Sequence, residues 1–239
     1  IGLWVDKWVF WLSPVRDTVK SGLLHAPIYD SSMFISSLII IPSLAALVVR
    51  LETGFFERYQ MYYSTIGSHG TLNQIEKARS RLASYTLDHL TLITAVQAGF
   101  TGLVVLVAPG IIDMLGMQFR QITILRYGAM GSVFQFIYIA ATSLLLFFDR
   151  RNLYLAVSAL FCGLNAGLAV LSIWLGEDYY GTGYFLACLV AGLVSFGLLV
   201  ATLQRLNYLT FIGNNPSSMA SSRTLSLWQR LFSRAASPK

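Results

Sequence analysis

Residues 122–148 read ITILRYGAMGSVFQFIYIAATSLLLFF, and the only charged side chain in that run is Arg126. An apolar stretch of about 20 residues is what an α-helix needs to cross the hydrocarbon of a bilayer. Asp149, Arg150 and Arg151 follow at once, and a second apolar run starts at Leu153. Two such runs joined by a short charged turn describe antiparallel membrane helices.

Working outward, further apolar spans lie at about Ser32–Val49, Leu87–Val107, Leu153–Leu175 and Tyr184–Leu203. A sixth runs from Ile1 to about Leu12 and is too short to cross. It opens inside an apolar stretch with no positively charged leader before it, so the chain reads as a fragment that enters a helix part-way. Of the 239 residues 55% are hydrophobic and 12% charged, about half the charged fraction of soluble domains. The expected fold is all-α, a polytopic transmembrane helix bundle of about six spans over residues 1–212. Residues 213–239, rich in Ser and Arg, read as a flexible tail in which Leu225–Phe232 is a candidate interfacial helix.

The formal net charge of +6 is spread among short loops. Nucleic-acid binding wants a basic face or stripe and is not expected. Loop charge instead orients the spans. Arg50, Arg58, Lys77, Arg79, Arg81, Arg150, Arg151, Arg205, Arg223, Arg230, Arg234 and Lys239 fall on one side. Arg16, Lys20 and Arg120 fall on the other, with Lys7 and Arg126 in spans nearer that face. The first side, including the C-terminus, is expected to be cytoplasmic.

The loop 51–86 on that side is amphipathic. Phe55, Phe56, Tyr59, Tyr62, Tyr63 and Ile66 recur at helical spacing, giving a helix able to lie at the headgroup level among membrane lipid. Gly67 and Gly70 end it, and Thr71 with Gln74 forms a capping box for a second helix. A connector packed on the bundle and a docking surface for a partner both fit these residues.

No phosphate loop, nucleophile elbow or metal-ligand pattern is present, so neither catalysis nor a cofactor is expected. Cys162 and Cys188 read as buried, inert thiols. The candidates for a substrate path are polar or aromatic groups in the spans: Trp4, Asp6, Lys7, Trp8, Arg126 and, less strongly, Gln135. A charged group in a span tends to face the bundle interior or a watery cavity. For Arg126 the alternative is a side chain snorkelling to the interface. For Trp4 and Trp8 it is an aromatic belt rather than a surface for stacking sugar rings. Gln135 lies about two and a half turns beyond Arg126, so a regular helix places it on the opposite face. Asp88 and His89 are candidates for a proton-linked site, against the plainer reading of a carboxylate at a helix start. Gln97 and Asn165 read as amides that hydrogen-bond between helices. Gly163/Gly167 and Ala187/Ala191/Ser195 are small-residue stripes that permit close helix packing.

Several segments resemble the PelG family of Pel exopolysaccharide transporters. They are Trp4-Val5-Asp6-Lys7-Trp8-x-Phe10-Trp11, Tyr29-Asp30 with Ile41-Pro42, Glu52-Thr53-x-Phe55-Phe56-Glu57-x-Tyr59-x-x-Tyr62-Tyr63-x-x-Ile66, Gly70-Thr71-Leu72-x-x-Ile75 and Leu206-Asn207-Tyr208-Leu209-Thr210-Phe211-Ile212. The resemblance covers Ile1 to about Ile212. It implies a flippase-like fold of twelve helices in two lobes, of which this chain would be the second, with the N-terminal lobe missing. It also implies export of an amino-sugar-rich polysaccharide across the bacterial inner membrane into the periplasm, for biofilm matrix. The implied partners are the Pel glycosyltransferase and membrane subunits including a cyclic-di-GMP receptor. A scaffold subunit anchoring a polysaccharide synthase complex is the alternative.

Overall fold

The computed structural model describes residues 2–18, 22 and 24–213. The expectations for Lys20, for residues 214–239 and for the candidate helix Leu225–Phe232 lie outside the described residues.

The chain opens with a two-turn helix, α1 (Val5–Leu12), closed by Ser13, whose Oγ donates to the Phe10 carbonyl at 2.7 Å. A minimal antiparallel pairing of β1 (Asp17–Thr18) with β2 (Leu24–His25) returns the chain to α2 (Pro27–Leu38). Pro27 occupies the first turn of α2, where its missing N–H costs nothing. Asp30 in the same turn reaches back to accept from the Ala26 N–H at 2.9 Å. α3 (Ile41–Arg50) follows after a break at Ile39–Ile40. The break sits where Pro42 cannot donate to the carbonyl one turn earlier.

α3 runs through a π-helical turn, Leu51–Phe55, straight into α4 (Phe56–Gly67). After a tight turn in which His69 takes φ 56°, α5 (Leu72–Met114) begins. The Thr71/Gln74 capping box forms as expected. α5 has 43 residues, which at 1.5 Å per residue is about 65 Å. That is about twice the ~30 Å hydrocarbon thickness. The segment read as a loop with a helix lying flat at the headgroups is therefore a helical hairpin. Both arms continue membrane-length helices outward, and their apolar faces meet one another and the bundle end. Neither arm holds the Pro or paired Gly that would stop a growing helix before Gly67.

α6 (Gln121–Phe147), α7 (Arg151–Leu175) and α8 (Thr182–Gln204) complete the bundle, with a 3-10 turn at Glu177–Tyr179 before α8. Short α9 (Leu206–Tyr208) and a last π-turn then lie against the hairpin. Five helices among the described residues are long and apolar enough to cross a membrane. α6 is the central one, packed along α8, α5 and α2. Its two sides are buried alike, with Leu125, Ala129, Phe136, Ala140 and Leu145 all fully enclosed.

On α5 the residues Leu92, Val96, Phe100, Leu103 and Val107 form an exposed stripe. Water would penalise that surface, whereas hydrocarbon accommodates it. Between such helices lipid removes the hydrophobic drive, and close backbone approach takes over. The Ala187/Ala191/Ser195 stripe is fully buried. Beside it, a Cβ at Gly192 would stand 2.7 Å from the Phe134 carbonyl oxygen on α6, and one at Gly183 2.5 Å from that of Leu168 on α7. Gly163 and Gly167 have open space where a Cβ would be, so that stripe is not a contact. Small-residue spacing marks a smooth face but not whether a neighbour covers it.

Candidate functional site

α1 divides its polar residues between two sides. Asp6 and Phe10, one turn apart, point inward and are 0% and 1% exposed. Trp4 and Trp8 point outward, at 53% and 41%. Lys7 follows the tryptophans, its Nζ 4.9 Å from the centroid of the Trp4 ring, a cation–π contact. Asp6 and Lys7 are neighbours in sequence but make no ion pair.

Asp6 meets two neutral donors. Its Oδ2 accepts from the Tyr29 hydroxyl of α2 at 2.7 Å, and its Oδ1 from Asn165 Nδ2 of α7 at 3.3 Å. Asn165 Nδ2 also donates to the Gly2 carbonyl at 2.9 Å. One carboxylate thus links three helices. Tyr29 stacks on Phe10 at 3.8 Å and shares an enclosed cluster with Tyr184 and Cys188. Tyr184 in turn donates to Gln135 Oε1. The sequence marks Asn165 as an interhelical amide and Gln135 as a weaker substrate-path candidate, but it does not single out Tyr29 and Tyr184 for this cluster. Their role comes from pairing across helices far apart in the chain.

A second polar knot lies nearer the middle of α5. Gln97 donates to Ser132 at 3.2 Å and to the Ile39 carbonyl at 3.3 Å, and it accepts from Ser43. It fastens α5 to α6 and to the α2–α3 break, the interhelical role expected of it.

Arg126 is exposed and lies on the α5 side of α6, away from the residues that α1 contacts. Its Nε donates to the Val105 carbonyl at 3.3 Å. Val105 is four residues before Pro109, which sits inside α5 and has no N–H to give that carbonyl. Arg126 therefore serves a backbone acceptor that the proline leaves open, and its terminal nitrogens have no partner among the described residues. Gln135 is buried on another face, as helical spacing predicts. The substrate-path candidates thus separate: Trp4, Lys7 and Trp8 on the outer side of α1, Arg126 between α5 and α6, and Asp6 and Gln135 inside.

Asp88 and His89 do not open a helix. They lie well inside α5, which starts at Leu72, beyond the first turn where a helix dipole favours a carboxylate. Asp88 is exposed. His89 stacks on Tyr85 at 3.9 Å, and its Nδ1 lies 2.9 Å from the Tyr85 carbonyl.

The aromatic face of α4 is also split. Phe55 and Tyr62 are buried at 2% and 0%, Phe55 against Phe147 and Phe148. The Tyr62 hydroxyl donates to Asn207 Oδ1 at 2.9 Å, tying α4 to α9. Tyr59 is partly covered, its hydroxyl on the Phe147 carbonyl at 3.3 Å. Only Phe56 and Tyr63 of the five docking candidates stay on the surface, joined by Met61. Arg79 clamps the hairpin base by donating to the last carbonyls of α8, Leu203 at 3.0 Å and Gln204 at 3.3 Å. Its hydrogen bond to Glu76 holds that exposed carboxyl below the ordinary carboxylate range.

Among the described residues no three His, Cys, Asp or Glu side chains are grouped to hold a metal. What the arrangement offers is a helix bundle with interior polar ties, an aromatic–basic outer face on α1 and a helical hairpin beyond one end.

A sequence model of the PelG family, described as "Putative exopolysaccharide Exporter (EPS-E)", matches residues 1–211. The chain belongs to the PelG family. The match ends at Phe211, where the last π-turn packs on the hairpin, so the bundle and the hairpin are both part of the PelG unit. Comparisons with curated proteins and with solved structures returned no match.

Proposed function

We propose that this PelG bundle is one lobe of a bacterial inner-membrane exporter that moves an amino-sugar-rich exopolysaccharide from cytoplasm to periplasm for biofilm matrix. The observation that carries the reading is the exporter-family match over residues 1–211 on a polytopic bundle. The excess of Lys and Arg in the loops on the hairpin side supports a cytoplasmic hairpin and C-terminus. A second lobe would complete the conduit, and rocking between lobes would move substrate. The bundle binds and guides and is not an enzyme. Trp4 and Trp8 offer flat faces for sugar rings, with Lys7 beside them. Arg126 presents guanidinium hydrogens to an anionic or polyhydroxyl group at a second point on the path.

Arg126 supplies the test. In the full-length exporter, Arg126→Ala is expected to cut secreted polymer roughly tenfold at normal protein level, the size of one lost charge-assisted hydrogen bond. Arg126→Lys retains a point charge without the fork and falls between. Unchanged secretion by the alanine variant sinks the Arg126 role.

The hairpin favours a second reading, a scaffold that anchors a polysaccharide synthase complex. It reaches beyond the apolar helices and leaves Phe56, Met61 and Tyr63 exposed on one arm. A glycosyltransferase or a cyclic-di-GMP receptor subunit would dock there. The scaffold and exporter readings differ over where polymer accumulates when the chain is removed.

A further inference from the structure

We propose that Asp6 and Asn165 form a binding site for one monovalent alkali cation, sodium, inside this lobe. Asp6 is 0% exposed and pairs with no Lys, Arg or His among the described residues. Its neighbour Lys7 is committed to the opposite side of α1, over Trp4. Each carboxylate oxygen accepts from a neutral donor, Tyr29 on one side and Asn165 on the other. Both oxygens thus face groups able to donate to an ionised carboxylate. Neutral donors leave the charge itself uncompensated, a costly state within an apolar bundle.

The second observation is independent. Asn165 is 0% exposed, and its Oδ1 is buried with no donor among the described residues. Turning the amide over does not cure this. Nδ2 is held by two acceptors, the Gly2 carbonyl and Asp6 Oδ1. Exchanging the atoms would set an oxygen against both. A buried amide oxygen without a donor, beside a carboxylate without a cation, is answered by one positively charged oxygen-seeking ion. Hard oxygen donors suit an alkali or alkaline-earth cation. A single carboxylate among neutral groups matches one positive charge rather than two. The ion would tie α1, through Asp6, to α7, and so fix the helix that carries Trp4 and Trp8. Its binding energy would then be available to position the outer face of α1.

The test uses the purified chain, with sodium chloride titrated against choline chloride at constant pH and ionic strength. Thermal unfolding reports binding, and the fluorescence of the α1 tryptophans reports the site. The wild type is expected to gain stability saturably with sodium. At a hundredfold excess over Kd the unfolding constant should fall about 100-fold. Asp6→Asn removes the charge and should lose the response. Asn165→Leu should weaken sodium by at least about tenfold, one lost ligand. A wild type indifferent to sodium overturns the proposal, as does an Asp6→Asn protein that still responds. A response that follows pH in choline but ignores sodium makes the ligand a proton and overturns it equally. If Asp6→Asn does not fold, an unchanged sodium Kd in Asn165→Leu overturns it. The assay contains no polymer, so its failure leaves the export reading standing, and the converse holds.

Discussion

Gly192→Leu is expected to leave almost no correctly folded protein in the membrane. A Cβ there would stand 2.7 Å from the Phe134 carbonyl oxygen and 3.3 Å from the Phe134 Cβ. The opposing atoms belong to the backbone and the root of the side chain, so no rotamer change relieves the overlap. α6 and α8 must separate, and theirs is the most extensive helix contact of the bundle. Overpacking usually costs about 1–3 kcal/mol. Here the cost should exceed that range, because Ala187, Ala191 and Ser195 lose their packing along the same seam. The measurement is monodisperse protein recovered in mild detergent. Gly163→Leu is the control. Its Cβ position is open, and its effect should stay within about 0.5 kcal/mol. Equal recovery of the two variants would contradict the packing described.

Tyr62→Ala should free the helical hairpin while leaving the bundle folded. Tyr62 is 0% exposed in the cluster where α4 and α5 meet the ends of α6 and α8. Emptying a site of that size costs about 3–5 kcal/mol. Phe55 and the Arg79 clamp still hold the hairpin base, but Phe56, Met61 and Tyr63 face outward and add no packing further along the arm. Tyr62→Phe keeps the ring and loses only the hydroxyl's bonds to Asn207 and Thr210, about 1 kcal/mol. Amide exchange across 56–86 should therefore rise strongly for the alanine variant and slightly for phenylalanine. Protection unchanged in Tyr62→Ala would show that the hairpin does not depend on this contact.

The spans were legible because hydropathy blocks answer to one physical scale, the thickness of hydrocarbon. The helix start at Thr71 was legible because its capping box is local. The hairpin was not. Once hydropathy falls near Leu51 a sequence reading hears a loop, although nothing there stops the helix. That error carried Asp88 with it, since a residue read as opening a helix proves to sit deep within α5. Asp6 and Lys7 show a different limit. Composition marks both as unusual, but only the docking of α1 on α7 turns one inward and the other out. Arg126 was found by its isolation in an apolar run. Its pairing with the carbonyl freed by Pro109 joins two helices, and no spacing along one helix announces it.

A role for this chain in export is tested by the location of polymer in cells whose export system lacks it, compared with cells in which it is restored. After gentle release of the periplasm, the exporter reading predicts polymer still being made and retained in the cytoplasm, with periplasmic and secreted polymer restored by the wild-type chain. Polymer synthesis that stops altogether while the synthase subunits lose their association would contradict export and leave the scaffold. Polymer that still reaches the periplasm without the chain would contradict both.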